Sequence, residues 1–267
     1  MSLEETVFKP IGKYHVGTVI FFHAAEDNGE DFAEFIRLLL GRRMEFRHIK
    51  VIFPTAPLQT YTPKGGRDAN VWFNWKRIER DCPEMLSSLA SIYDQVEAII
   101  EREISEGVPA GRIIVGGFEM GGTMALHTAF RVNRDLGGVF TLSSFLNSGS
   151  IVYDSMEFVT RDERLPELLM IHGELDNLIP VDWGRATFEE LTNFGVQGEF
   201  VTQWNMAHEI RLKHLQQIIQ WILMLVPPPR DDIPTPPPRP AKEESENKKD
   251  ESEIMIRMFI KIFGKEF

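Results

Sequence analysis

The segment Gly117-Phe118-Glu119-Met120-Gly121 constrains this chain more than any other. Ile113, Ile114 and Val115 before it supply a short buried strand, and Gly121, Gly122, Thr123, Met124 and Ala125 after it start a helix able to pack closely on that strand. A Gly-x-Nuc-x-Gly frame between strand and helix is the elbow that lifts one nucleophilic side chain above a parallel sheet, and serine is its usual occupant. Here the position holds a glutamate, Glu119.

The rest of the chain supplies the elements such an elbow needs. Val19–Phe22, Lys50–Phe53, Gly138–Leu142, Leu168–Ile171 and Phe200–Trp204 are short apolar runs bounded by turn residues and read as buried strands. Apolar residues recur at helical spacing over Phe32–Leu40, Glu84–Ile104, from the elbow to about Arg131, over Trp183–Phe194 and over Ile210–Val226. Strands alternating with helices predict an α/β fold: a mainly parallel sheet covered by helices on both faces. Composition breaks at Pro227. Eight of the fourteen residues from Pro227 to Pro240 are proline, and the stretch to Glu253 is almost all charged or polar. We therefore expect one domain over 1–226, an extended and then disordered linker over 227–253, and an apolar-basic segment over 254–267.

Composition excludes several function classes. A net charge of −11 argues against a nucleic-acid partner. Cys82 is the single cysteine, so no intrachain disulfide forms, and a reducing, cytoplasmic setting is expected. The acidic start, Met1 to Glu5, lacks the apolar stretch of a signal peptide. His15, His48, His127 and His214 share no metal-ligand spacing with carboxylates or Cys82, so neither a metal nor a cofactor is expected. Ser143 and Ser144 end a strand without an elbow and read as structural, as does Cys82.

Two more residues belong with Glu119. Asp176 lies in the loop after the strand ending near His172-Gly173, and His208 follows the strand ending at Trp204. Nucleophile position, acid and histidine in that chain order match the α/β-hydrolase arrangement, in which the histidine takes the nucleophile's proton and the acid orients it.

Many separate blocks then resemble one family, the acyl-protein thioesterases and lysophospholipase-like carboxylesterases, and the lysophospholipase-like branch most. They are Phe53-Pro54-Thr55-Ala56-Pro57, Tyr61-Thr62-Pro63, Gly65-Gly66, Val71-Trp72-Phe73 and Asp81-Cys82-Pro83-Glu84. Gly116 to Gly122 apart from Glu119, Leu142 to Leu146, Pro166-Glu167-Leu168, His172-Gly173, Asp176 and His208 complete the set. The resemblance runs from about Val19 to Leu225. It implies an α/β-hydrolase fold and a cofactor-free site cleaving acyl esters or palmitoyl thioesters. It places Glu119, Asp176 and His208 at the catalytic positions, and the backbone N–H groups of Ala25 and Met120 at the oxyanion hole.

The departures cluster at the chemistry. The family's His-Gly-x-Gly-Asp loop reads His23-Ala24-Ala25-Glu26-Asp27, and Asn74 replaces a usual aspartate. Losing both glycines is expected to strain or displace the loop. The helix start beneath Glu119 and a protonated His208 beside it are expected to keep the carboxylate ionised, in an ion pair with His208. The resulting expectation is a catalytically dead or impaired homologue, a pseudoenzyme, with a pocket retained for an acyl ligand or a protein. Two alternatives stand beside it. One is residual ester or thioester hydrolysis through Glu119 or a His208-activated water. The other is an adaptor working through its tail, where Pro234–Arg239 matches a Pro-x-x-Pro-x-Arg ligand of SH3 grooves and Arg257, Lys261 and Lys265 form a basic stripe suited to a membrane surface.

Overall fold

The computed structural model describes residues 2–160 and 163–230. Seven strands form one sheet: β1 (Glu4–Phe8), β2 (Gly17–Phe22), β3 (Ile49–Thr55), β6 (Ile113–Phe118), β7 (Gly138–Leu142), β8 (Glu167–Gly173) and β9 (Gly198–Gln203). Their order is β1-β3-β2-β6-β7-β8-β9, parallel throughout except for antiparallel β1. A separate hairpin pairs β4 (Leu58–Tyr61) with β5 (Arg67–Asn70). The helices are α1 (Gly29–Leu40), α2 (Leu86–Ser105), α3 (Met120–His127), α4 (Ile151–Met156), α5 (Val181–Asn193) and α6 (Leu212–Leu225).

Successive side chains of a strand point to opposite faces, and β2 shows the consequence. Val19 and Phe21 join an apolar cluster with Phe32 and Ile36 of α1 and Leu215, Ile218 and Ile222 of α6. Ile20 and Phe22 join another with Ile92, Val96 and Ile100 of α2, Met124 of α3 and Leu191 of α5. The sheet is therefore sealed on both sides, as parallel sheets are.

The structure departs from the sequence reading locally. β1 and the β4–β5 hairpin add to it, because their strands are short, largely polar and partly exposed and give no buried-strand signal. The elbow helix stops at His127 and continues over Thr128–Val132 as a wider π turn. Helix α5 starts at Val181, before Trp183, directly after Pro180. The SH3-ligand match and the 254–267 segment lie outside the described residues. No described helix is long and apolar enough to cross a membrane.

Candidate active site

Four loops meet above the carboxyl edge of the sheet, where open parallel sheets place their sites. The sharpest is the elbow. Strand β6 ends at Phe118, α3 begins at Met120, and Glu119 between them holds φ 54°, ψ −120°. Such a conformation costs a non-glycine residue about 1–3 kcal/mol and persists only where the surroundings impose it. They do so here: the Glu119 N–H donates to the Leu142 carbonyl at 3.0 Å, and its own carbonyl accepts from Gly122 and Thr123. A Cβ on Gly121 would lie 2.3 Å from the Phe22 carbonyl oxygen, so only glycine lets α3 approach β2 this closely.

The loop after β8 carries Asp176. Its Oδ1 accepts from the N–H groups of Leu178 and Ile179 at 3.0 and 2.8 Å, and its Oδ2 accepts from His208 Nδ1 at 2.7 Å. His208 comes from the loop after β9. That loop sits so close to β8 that a Cβ on Gly173 would lie 2.2 Å from the Met206 carbonyl oxygen. Burial pushes the Asp176 carboxyl up, but the His208 hydrogen bond and charge outweigh it and hold Asp176 below the usual carboxylate range. With Nδ1–H committed to Asp176, Nε2 carries the lone pair of the neutral ring, as a general base requires.

The loop after β2 is built around His23. Its Nδ1–H donates to the Ala24 carbonyl at 2.6 Å, its Nε2 accepts from the Ala56 N–H at 2.9 Å, and its carbonyl accepts from Trp72 Nε1 at 2.8 Å. Burial lowers the His23 pKa to about 4, so the ring is a neutral fastener. The expected strain is present in this loop. Glu26 adopts the left-handed conformation itself, at φ 66°, and its N–H donates to the Asn70 carbonyl at 2.9 Å. The loop is strained and held by that bond. The left-handed region costs a side-chain-bearing residue about 1–2 kcal/mol, and the unfolded-state freedom of a glycine offsets about 0.4–1 of that. Glu26→Gly is therefore expected to raise stability by up to about 1.6 kcal/mol in urea unfolding. A net loss would show instead that the 3.3 Å Glu26–Lys64 ion pair matters.

Because the loop holds its place, the Ala25 N–H points at the elbow and donates to Glu119 Oε2 at 2.8 Å. The Met120 N–H beside it also favours the ionised form of the same carboxylate. The expected ion pair with His208 is replaced by this pair of donors. His208 makes its 2.7 Å bond to Asp176, and its charge, when protonated, favours the ionised form of Glu119. Burial is the largest influence and raises the Glu119 pKa above the ordinary carboxylate value, with both N–H groups and His208 opposing it. A raised folded-state pKa means the native protein keeps this proton longer than the unfolded chain, which releases it near about 4.3. Its stabilising effect is full below that pH and is lost as pH rises through the folded value. Glu119→Gln keeps an acceptor for Ala25 but does not titrate. The stability of the wild type relative to this variant should therefore fall from about pH 4 upward, read from urea unfolding across pH. Asp176 works in the opposite sense, its contribution being lost as pH falls through its depressed value.

The family profile described as Phospholipase/Carboxylesterase matches residues 4–226. The chain belongs to this family. It is similar to lysophospholipase-like protein 1 of Mus musculus, 40% identical over 227 residues covering 85% of this chain and 94% of that protein. It is also similar to acyl-protein thioesterase 1 homolog 1 of Dictyostelium discoideum, 31% identical over 216 residues covering 80% and 92%. Among solved structures, that of Arabidopsis thaliana SOBER1 superposes with a TM-score of 0.70 at 24% identity, covering 79% of this chain and 99% of that one, a likeness of fold. The fold is thus that of the α/β-hydrolases.

Within the family frame, Glu119, Asp176, His208, Ala25 and Met120 are all brought to one place. A cleft of about 120 Å³ opens over Ala25, Glu119 and His208, lined also by Glu26, Tyr61, Lys64, Ile78 and Leu178. Tyr61 carries no site signal in the sequence. It closes strand β4, and no local pattern announces that this hairpin folds over the elbow. Asn74 has a structural role. Its Oδ1 accepts from the Thr62 N–H at 2.8 Å, its Nδ2 donates to Thr62 Oγ1 at 2.9 Å, and the turn after Tyr61 is held in place. Ser144 Oγ lies 3.2 Å from Thr123 Oγ1 beneath the elbow, and Cys82 is buried away from the cleft. His15, Glu103 and Glu106 bring ligand-type atoms within 4.8 Å of one another. Lys50 Nζ already supplies the cation there, 2.9 Å from Glu103 and 2.6 Å from Glu106, which makes the group an ion-pair network.

Proposed function

We propose that this chain is a phospholipase/carboxylesterase family member that has lost acyl transfer. The observation that carries the reading is the 2.8 Å bond from the Ala25 N–H to Glu119 Oε2. In acyl transfer these backbone donors must receive the oxygen of the substrate carbonyl as it becomes an oxyanion. Here the chain's own carboxylate occupies them, and no hydroxyl nucleophile stands on the elbow. Attack by Glu119 on an ester or thioester would form an anhydride, uphill from either. A long acyl chain is also poorly served, since small-molecule pockets span about 300–1,000 Å³ and this cleft is about 120 Å³. A protein surface is the better candidate for a retained macromolecular ligand. The single buried cysteine suits a cytoplasmic setting.

The test uses the full chain on p-nitrophenyl butyrate and on a short acyl thioester. Turnover indistinguishable from that of His208→Ala is expected. Turnover that disappears in His208→Ala would overturn the reading, because it would require the dyad to be at work on an acyl group.

A further inference from the structure

The donors that Glu119 withholds from an acyl substrate are correctly placed for a different one: an ester of Glu119 itself. We propose that this site alkylates and regenerates Glu119, opening small neutral epoxides to diols. The proposal rests on the reading above that the carboxylate sits in the former oxyanion hole, and it goes beyond that reading.

The argument follows the electrons. A carboxylate can act as a nucleophile when its attack forms an ester on carbon rather than an anhydride. The bond formed joins a Glu119 carboxylate oxygen to an epoxide carbon. The bond broken is that carbon's bond to the ring oxygen, and its electron pair stays on the ring oxygen. That oxygen then needs a proton. Tyr61 lines the same cleft, and burial together with the charges of Glu119 and Glu26 raises its pKa, so it enters the reaction as a protonated hydroxyl. It donates to the opening ring and is reprotonated later.

The second step uses the remaining groups. Water attacks Cδ of the glutamyl ester while His208, oriented by Asp176, takes its proton. The tetrahedral oxyanion forms on the Glu119 oxygen that faces the Ala25 and Met120 N–H groups, where two donors already point. Collapse expels the diol alkoxide, which receives the proton held by His208, and Glu119, left as its acid, releases its proton to solvent while Tyr61 takes one back, which restores both groups. The sum is epoxide plus water to vicinal diol.

The cleft also selects the substrate. An apolar cavity of about 150 Å³ accepts benzene, so about 120 Å³ suits an oxirane smaller than that. An epoxide suits it further because the leaving oxygen remains attached, and no separate leaving group has to exit.

The probe is 1,2-epoxybutane with the full chain. Wild type is expected to form butane-1,2-diol, and in ¹⁸O-labelled water the label should enter the Glu119 carboxylate over successive turnovers. His208→Gln is expected to lose diol formation by at least about 100-fold and to accumulate one epoxide mass per chain, mapped to Glu119. Asp176→Asn, a second route to the same block, should trap the same adduct. Glu119→Gln should show neither diol nor adduct. Circular dichroism establishes that each variant is folded. No adduct on Glu119 in either folded dyad variant, or equal labelling in Glu119→Gln, would overturn the proposal. The two readings fail separately: His208-dependent ester turnover would overturn the loss of acyl transfer, whereas the epoxide proposal stands or falls on the Glu119 adduct.

Discussion

Glu119→Ser is expected to give this chain an esterase activity at least about 10³-fold above that of the wild type, because it restores a nucleophile and vacates the oxyanion donors in one step. A positioned general base contributes about 10²–10⁴-fold, and each backbone donor aimed at the oxyanion about 10²–10³-fold. Every other part is in place. The Ala25 N–H points into the site, Glu26 holds the left-handed conformation that keeps it there, and His208 is oriented by Asp176 at 2.7 Å. The measurement is kcat/KM on p-nitrophenyl butyrate for Glu119→Ser and for the double variant with His208→Ala, which should fall back to the wild-type level. A folded Glu119→Ser protein no faster than wild type would show that the loop holds its shape only while the carboxylate binds it.

Gly117→Ala is expected to destabilise the protein by about 3 kcal/mol or more, at or beyond the upper end of ordinary overpacking. The added Cβ would lie 2.1 and 2.2 Å from the carbonyl carbon and oxygen of Gly121 and 2.4 Å from the Gly122 nitrogen. All three are backbone atoms of the elbow, so no side chain can turn aside to make room. Relief requires moving the start of α3 away from β6, which would also shift Glu119. Gly149→Ala is the control: its Cβ would meet nothing within 4 Å, and a change within about 0.5 kcal/mol is expected. Urea unfolding should show a lower midpoint for Gly117→Ala at unchanged slope, and little change for Gly149→Ala. Equal midpoints for the two would refute the close-approach argument.

Much of the architecture is legible in the residues themselves. The apolar runs that become β2, β3, β6, β7 and β8 are buried on both faces and carry a continuous signal. The glycine frame around Glu119 announces its own geometry, since only glycine tolerates the contacts made at Gly117 and Gly121. The order Glu119, Asp176, His208 after successive strands is enough to gather the three at one sheet edge. Edge strand β1 and the β4–β5 hairpin escape, because strands so short and largely polar read as readily as loop. Tyr61 escapes with the hairpin that carries it.

What sequence could not supply was the partner of the carboxylate. Its residues suggest a histidine for Glu119 and a loop displaced by its missing glycines. The folded chain supplies two backbone N–H groups instead, one from Ala25, 94 residues away, and one from Met120 next door. Backbone torsions and apolar periodicity are local properties, written residue by residue. Which donor reaches a buried carboxylate, and whether burial or hydrogen bonding decides its protonation, depends on where four loops meet once the sheet has brought their strands together.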